Sequence, residues 1–348
     1  MKIFLPFHKK EFHPYLEEIK THSINEIVCD RHQNYDSSFK IINIHWPEAI
    51  FDWQEPTQSD IEGLKKTIKI WKNEAIIVYT KHDFERTKGP TPNFTKLFNI
   101  IEENTDVFIH LGVYSKKIYS DKYPNAKHEI ICHPLFENSF QISNKNEARE
   151  ILGINSEAMV IIAPGNIRNF KERKMVLHSF NALGYKNKVL ISTNMRNELR
   201  LDFPGRVRFK KCFDVQKFFI KRFRQKHSSP KYLFTYNPLS AEDLSLRMSA
   251  ADIVLVPRVD ILNSGIVFLG LTFRKVIVGP AIGNIEEQLK ELNYPVFNPN
   301  SMSSVTKALE KGIKLHLSGE YLGGVQAKYY PINVAKDYDR IFLKYKKK

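Results

Sequence analysis

Short, nearly unbroken apolar runs separated by longer stretches of helical spacing dominate this chain, and that alternation leaves few folds open to it. "KIFLPF", "FKIINIHW", "AIIVYT", "DVFIHLG" and "HEIICHP" come first, followed by "MVIIAPGN", "KVLIST", "RVRFKK", "DIVLVPR" and "KVIVGP". Runs of this length without strict polar alternation read as strands covered on both faces. Between them, "DIEGLKKTIKIWKN" and "PNFTKLFNIIEENT" place apolar residues three and four apart and read as helices. Strands alternating with helices imply parallel sheets, an α/β fold. Near residues 145–155, "NKNEAREILGINSEA" reads as a helix and a polar turn that divide the runs into two series. A chain of 348 residues has room for two domains. We expect two Rossmann-like domains facing a cleft: residues 1–148, residues 149–330, and a C-terminal helix in 331–348 that packs back on the first. No internal repeat or low-complexity tract interrupts them.

Charge narrows the partners. Lys and Arg total 53 against 38 acidic residues, a net +15, which favours anionic ligands: nucleic acid, phosphorylated substrates or an acidic membrane surface. Three widely spaced cysteines, Cys29, Cys132 and Cys212, form neither a disulfide framework nor a zinc pattern and suit a reducing compartment. The N-terminal segment turns polar too soon for a signal peptide, and no apolar run approaches the roughly 18 residues of a spanning helix. The expected location is the cytoplasm, free or peripheral on the inner face of the plasma membrane.

In parallel α/β sheets, ligands sit at the carboxyl ends of strands, and four constellations lie there. His45, Trp46, Pro47 and Glu48 follow one strand; Trp46 either stacks on a sugar face while His45 and Glu48 bond its hydroxyls, or is a core tryptophan in a turn. His82 and Asp83 follow the strand ending at Thr80, with Arg86 and Lys88 beyond; they supply a base and cations for a phosphate, or form an ordinary polar loop. In "VIIAPGNIRNFKERK", Gly165 lets the backbone approach a ligand, while Arg168 and Lys171 at a helix start are placed to straddle a diphosphate. "DILNSGIVFLGLTF" opens a helix apolar on nearly every side, with Asn263 or Ser264 as its cap.

In this order the motifs resemble those of the GT-B glycosyltransferases, in particular the bacterial group related to family 4 and to the glucuronosyl- and mannosyltransferases of exopolysaccharide assembly. "HWPE" follows an early strand there; "VYTKHDFERTKG" matches its "WTLHN…PHE" loop, "CHPLF" its "HPHY" turn, and "GNIRNFKE" its "G-x-I-R-x-Y-K-G" loop. The "AADIVLVPR" strand and the "NSG" helix follow, so the likeness runs from about Ile41 to Glu287. The resemblance implies a hexosyltransferase that moves a sugar from a UDP- or GDP-linked donor to a glycan or lipid-linked acceptor in surface polysaccharide synthesis. It implies catalytic roles for Asp83, His82 and Glu48, and acceptor contacts for His45, Trp46 and Arg86. Donor contacts fall on Gly165, Asn166, Arg168, Lys171, Arg258, Asn263, Ser264, Gly265 and Glu287.

The departures carry information. Two glutamates that retaining family 4 enzymes place around this helix are Ile261 and Leu269 here, Glu85 is the nearest counterpart of the "PHE" glutamate, and the glycine after the second-domain lysine is Glu172. An inverting mechanism is therefore expected, with one base near the acceptor hydroxyl and cations for the leaving diphosphate. No D-x-D follows a strand, and no metal or other cofactor is expected.

Between Arg206 and Lys231, Phe213, Phe218, Phe219 and Phe223 alternate with Lys and Arg. Such a segment lies on an anionic bilayer, stacks on single-stranded nucleic acid, or packs its phenylalanines on the core. Of two further readings, a catalytically silent relative draws on the missing glutamates, and a nucleic-acid-binding protein lacks any recognised motif. A dehydrogenase is disfavoured because no G-x-G-x-x-G opens either series.

Overall fold

The computed structural model describes residues 1–7, 13–85, 91–197, 215–322 and 326–347. Two six-stranded sheets, parallel throughout, account for its strands. The first holds β1 (Lys2–Pro6), β2 (Glu26–Asp30), β3 (Ile41–Ile44), β4 (Ile76–Lys81), β5 (Val107–His110) and β6 (Lys127–Ile130), in the order β2-β1-β3-β4-β5-β6. The second holds β7 (Met159–Ala163), β8 (Lys188–Ser192), β9 (Tyr232–Phe234), β10 (Ile253–Leu255), β11 (Val276–Pro280) and β12 (Val296–Phe297), in the order β12-β11-β10-β7-β8-β9.

Helices α1 (Pro14–His22), α2 (Gln58–Glu74), α3 (Pro92–Glu103) and α4 (Val113–Lys122) belong to the first series. The second has α5 (Lys145–Ile151), α6 (Phe170–Ala182), α7 (Val215–Lys226), α8 (Ala241–Ala250), α9 (Gly265–Thr272), α10 (Gly283–Glu291) and α11 (Met302–Ser318). The final helix, α12 (Pro331–Tyr345), returns to the first sheet and packs Val334, Tyr338 and Ile341 among Ile3, Leu5 and Tyr15.

Both sheets are covered on both faces, which explains the apolar runs. Along β7, Val160 and Ile162 join one core cluster while Met159, Ile161 and Ala163 join the other, the two-residue period of a pleated strand. In α2 the buried positions are Ile61, Leu64, Ile68 and Trp71, one face of a 3.6-residue helix started by a Thr57–Asp60 capping box.

Three strands escaped the sequence reading. β2 is a sheet edge with half-buried side chains over most of its length, β9 has three half-buried residues, and β12 is an edge of two residues, so none shows a buried apolar run. The expected "RVRFKK" strand lies outside the described residues.

Strand order reverses between β1 and β3 in the first sheet, and between β7 and β10 in the second. Adjacent connections leave in opposite directions there and open a crevice at the carboxyl ends of the strands. The residues that follow β3, β7 and β10 therefore come first in any account of function.

Candidate functional site

At the second switch point, β7 ends in Pro164-Gly165, and Gly165 adopts φ +77 while its N–H donates to Thr193 Oγ1 at 2.8 Å. A side chain there would be strained, and its Cβ would stand 3.3 Å from an Arg258 nitrogen and 3.6 Å from Ile266 Cδ1. Arg258, arriving from β10, donates to Asn166 O at 3.1 Å and pairs with Glu172 Oε2 at 3.3 Å. The same Glu172 oxygen accepts the Arg168 N–H at 2.7 Å. Burial, then the neighbouring Arg168, lowers the Arg258 pKa to about 10. The β7 exit thus brings the Arg258 guanidinium and the charge of Arg168 to bear on the Glu172 carboxylate.

Lys171 sits elsewhere. It is exposed, and its ammonium is held by Asn300 Oδ1 at 2.6 Å. Arg258, not Lys171, is the cation that shares the crevice with Arg168, because Lys171 lies inside the first turn of α6 and projects to the surface. Asn166 is exposed at the turn, with its side-chain oxygen accepting from Asn194.

Helix α9 starts at Gly265 with no side-chain cap, although Asn263 or Ser264 was expected to serve. Asn263 is diverted: its amide donates to the carbonyls of His82 (2.7 Å) and Lys81 (3.3 Å) on the first sheet, and its oxygen accepts from Asn284 at 2.7 Å. The first turn of α9 consequently keeps its N–H groups without a side-chain cap. The imidazole of His133, from the "CHPLF" turn, stacks on Phe268 at 4.2 Å, and its Nε2 lies 3.7 Å from where a Gly265 Cβ would be.

Glu287 is also at the contact between the halves. Its two oxygens accept the N–H groups of Val113 (2.5 Å) and Tyr114 (3.0 Å), capping α4 from the opposite half. Asn284 bonds Ser115 in both directions at 3.0 Å, and Gln288 donates to Leu111 O at 3.0 Å. The spacing of Asn263, Asn284 and Glu287 in sequence held no sign of these long-range bonds.

The first half contributes a chain of hydrogen bonds. Thr80 donates to Asn43 Oδ1 (3.3 Å), Asn43 Nδ2 meets His45 Nε2 (2.9 Å), and His45 Nδ1 meets His82 Nε2 (3.0 Å). Since Asn43 donates, His45 carries its proton on Nδ1 and donates it to His82, whose Nε2 is thereby occupied. Tyr338 bonds Tyr15 (2.8 Å) and Thr80 (3.2 Å), so α12 supports this chain. Trp46 stacks on His82 at 4.4 Å and 18° and is half-buried, joining cleft and core in one residue. Burial lowers the pKa of His45 to about 3 and drives that of His82 well below the usual histidine value. Neutral, with its ring nitrogen engaged, His82 is poorly suited to take a proton as the resemblance implied.

Asp83 is better placed. Its pKa is raised to about 6 by burial, against the opposing pull of Arg168 and then Lys81. An acid from the β4 exit and a cation from the β7 exit thus lie within each other's field, from opposite halves. Glu48 is buried in the 3₁₀ turn Pro47–Phe51, where its charge reaches Tyr79 in the core. Arg86 lies outside the described residues. Among the described residues, no group of three His, Cys, Asp or Glu could hold a metal ion. None of their helices is long and apolar enough to cross a membrane.

Two opposed parallel α/β sheets, each with its switch point at the shared crevice, define the GT-B fold of glycosyltransferases. Among solved structures, the chain is similar to HepE of Anabaena in complex with UDP, with 11% identity over 99% of this chain and 100% of that one, and a TM-score of 0.67. It is similar to a glycosyltransferase from Rickettsia africae (10% identity, 99% and 98% covered, TM-score 0.65). WaaG, a glycosyltransferase involved in lipopolysaccharide biosynthesis, gives 13% identity, 98% and 99% coverage and a TM-score of 0.62. No family model and no curated protein matches the chain.

Proposed function

We propose that this protein is a glycosyltransferase that moves a sugar from a nucleotide-sugar donor to a glycan or lipid-linked saccharide acceptor, with inversion at the transferred carbon. The observation that supports the reading is the cluster of Arg258, Glu172 and Arg168 at the β7 exit, with the Asp83 carboxyl of the β4 exit within the field of Arg168. In the proposed step, the acceptor hydroxyl oxygen forms a bond to the sugar C1 while Asp83 takes its proton. The bond from C1 to the donor phosphate breaks, and the nucleoside diphosphate leaves with the electron pair. Arg168, Arg258 and the uncapped start of α9 receive that charge. No bound metal is needed for this division of labour, so EDTA should leave turnover unchanged.

UDP is the favoured carrier, because the HepE structure of the same fold holds it. The surface-polysaccharide role rests on the motif resemblance and on the role named for WaaG. The test is a thermal-shift panel of UDP, GDP and their sugar conjugates on wild type and Arg168→Ala, followed by acceptor screening and NMR assignment of the product anomer. A shift from one nucleotide family that disappears in the variant supports the reading. No shift from any of them overturns it and favours a silent relative.

Peripheral contact with an anionic membrane on the cytoplasmic side is part of the same proposal. Along α7 the cations Lys221, Arg222, Arg224 and Lys226 are exposed, as is Phe218 at 61%. Phe223 instead packs against the core, so the phenylalanines do not form one free stripe, and Phe213 lies outside the described residues. Salt-sensitive co-sedimentation with anionic but not neutral vesicles would support the contact; its absence would remove it.

A further inference from the structure

Beneath the exit of β4 lies an ion pair that the proposed reaction does not use. Lys81, the last residue of the strand, is fully buried, and its ammonium donates to Glu102 Oε1 at 2.6 Å. The rings of Tyr119, Tyr79 and Phe98 surround it at 4.7, 5.0 and 5.4 Å. Glu102 is 3% exposed and accepts further bonds from Tyr119, Lys122 and Tyr123. Burial alone would push this carboxyl up, yet the pairing with Lys81 holds it below the usual carboxylate range.

A pair this deep needs a reason. Replacing a buried ion pair with apolar groups of similar volume is often neutral or stabilising, so stability is a weak explanation. The remaining bonds supply another. Lys81 Nζ also donates to Phe84 O at 3.2 Å, while the carbonyls of Lys81 and His82 are held by Asn263. Three of the four carbonyls from Lys81 to Phe84 are thus fixed, and Asp83 stands between them. Strand alternation puts Thr80 on the face that meets Asn43 and Tyr338, and Lys81 on the opposite one. The loop is gripped from both sides.

We propose that Lys81 is a positioning residue: held by Glu102, its ammonium anchors the Phe84 carbonyl and so sets the Asp83 carboxylate against Arg168 for proton transfer. This rests on the glycosyltransferase reading above. Among the described residues, the charged groups that act on Asp83 are Arg168 from the loop before α6 and Lys81 from β4. Loss of the Lys81 charge therefore removes one of the two described cations that favour ionised Asp83 and makes its proton harder to remove.

The test is the double variant Lys81→Met/Glu102→Gln, which removes both charges together. Two readouts are taken: turnover of the donor sugar nucleotide against pH, and the titration of Asp83 by carboxyl NMR of aspartate-labelled protein, assigned with Asp83→Asn. The expected result is a folded protein with a similar Tm and unchanged donor KM. Its kcat falls by about tenfold, and the Asp83 midpoint rises by about half a pH unit or more. A folded double variant with wild-type kcat and midpoint overturns the inference. Should the double variant not fold, Lys81→Gln, which leaves Glu102 paired with Lys122, is held to the same two outcomes. Absence of turnover in the wild type would sink the glycosyltransferase reading instead, and the NMR midpoint would still decide the role of Lys81.

Discussion

Glu172 and Arg258 form a buried ion pair at the mouth of the β7 exit, 3.3 Å apart with side chains 2% and 5% exposed. In the sequences that this chain resembles, a glycine stands at the position of Glu172. Here the carboxylate neutralises a guanidinium that, in the proposed reaction, the donor diphosphate would otherwise meet. Glu172→Gln should therefore lower the Tm of the free protein, since breaking a buried pair costs about 3–5 kcal/mol. It should also enlarge the Tm increase that saturating UDP produces, because the nucleotide would then supply the missing anion. Equal UDP shifts in wild type and variant would show that Arg258 does not meet the diphosphate.

Asp83 sets the pH dependence of the proposed reaction. A base must be ionised to accept a proton, so turnover should rise through the Asp83 pKa of about 6 and level off above it. Asp83→Asn should lower kcat by about 10²- to 10⁴-fold while leaving UDP affinity close to wild type. Stability has the opposite sign. The folded pKa is raised above the unfolded value, so the contribution of Asp83 is fully present below about pH 4 and is lost as pH rises through 6. A rate that is flat between pH 5 and 8 would assign the base elsewhere.

The α/β alternation and the motif order were legible in the sequence because buried strands and strand-end turns leave local patterns. Gly165, Arg168 and Asp83 stand out that way as candidates. What could not be read was where polar side chains spend their hydrogen bonds. Asn263 looks like a helix cap until the chain folds and its amide finds the carbonyls of Lys81 and His82, 181 or more positions away. Lys171 has the right spacing for a diphosphate, yet helical geometry turns it to Asn300. Lys81 carries the one faint local sign, a lysine ending the run "IIVYT", and its partner Glu102 lies 21 positions on, in the last turn of α3.

Glu287 tests the contact between the halves. Its oxygens cap the start of α4, so Glu287→Ala should cost about 1 kcal/mol, as loss of a helix cap does. If that contact is its whole role, the UDP dissociation constant, measured by calorimetry, stays within about twofold of wild type, well under the tenfold that 1.4 kcal/mol represents. A tenfold loss of nucleotide affinity with little loss of Tm would instead return Glu287 to the donor site.

The histidines around the crevice should make the protein sensitive to acid. Burial lowers His13 to about 4 and His45, His110 and His133 to about 3, and His82 also falls well below its usual value. Each remains neutral in the folded state at a pH where the unfolded chain binds a proton near 6.5. The unfolded state therefore takes up more protons, and stability that is present above pH 6.5 is lost as pH falls toward the folded values. Between pH 7.5 and 5.5 the loss is about 1 kcal/mol for each such histidine, opposed in part by the proton that folded Asp83 retains. Urea denaturation at the two pH values measures the sum. Repeating it with His45→Gln should remove about one proton from the difference, even though the variant is itself less stable at pH 7.5. A pH slope unchanged by this substitution would mean that His45 is not held neutral by its burial between Asn43 and His82.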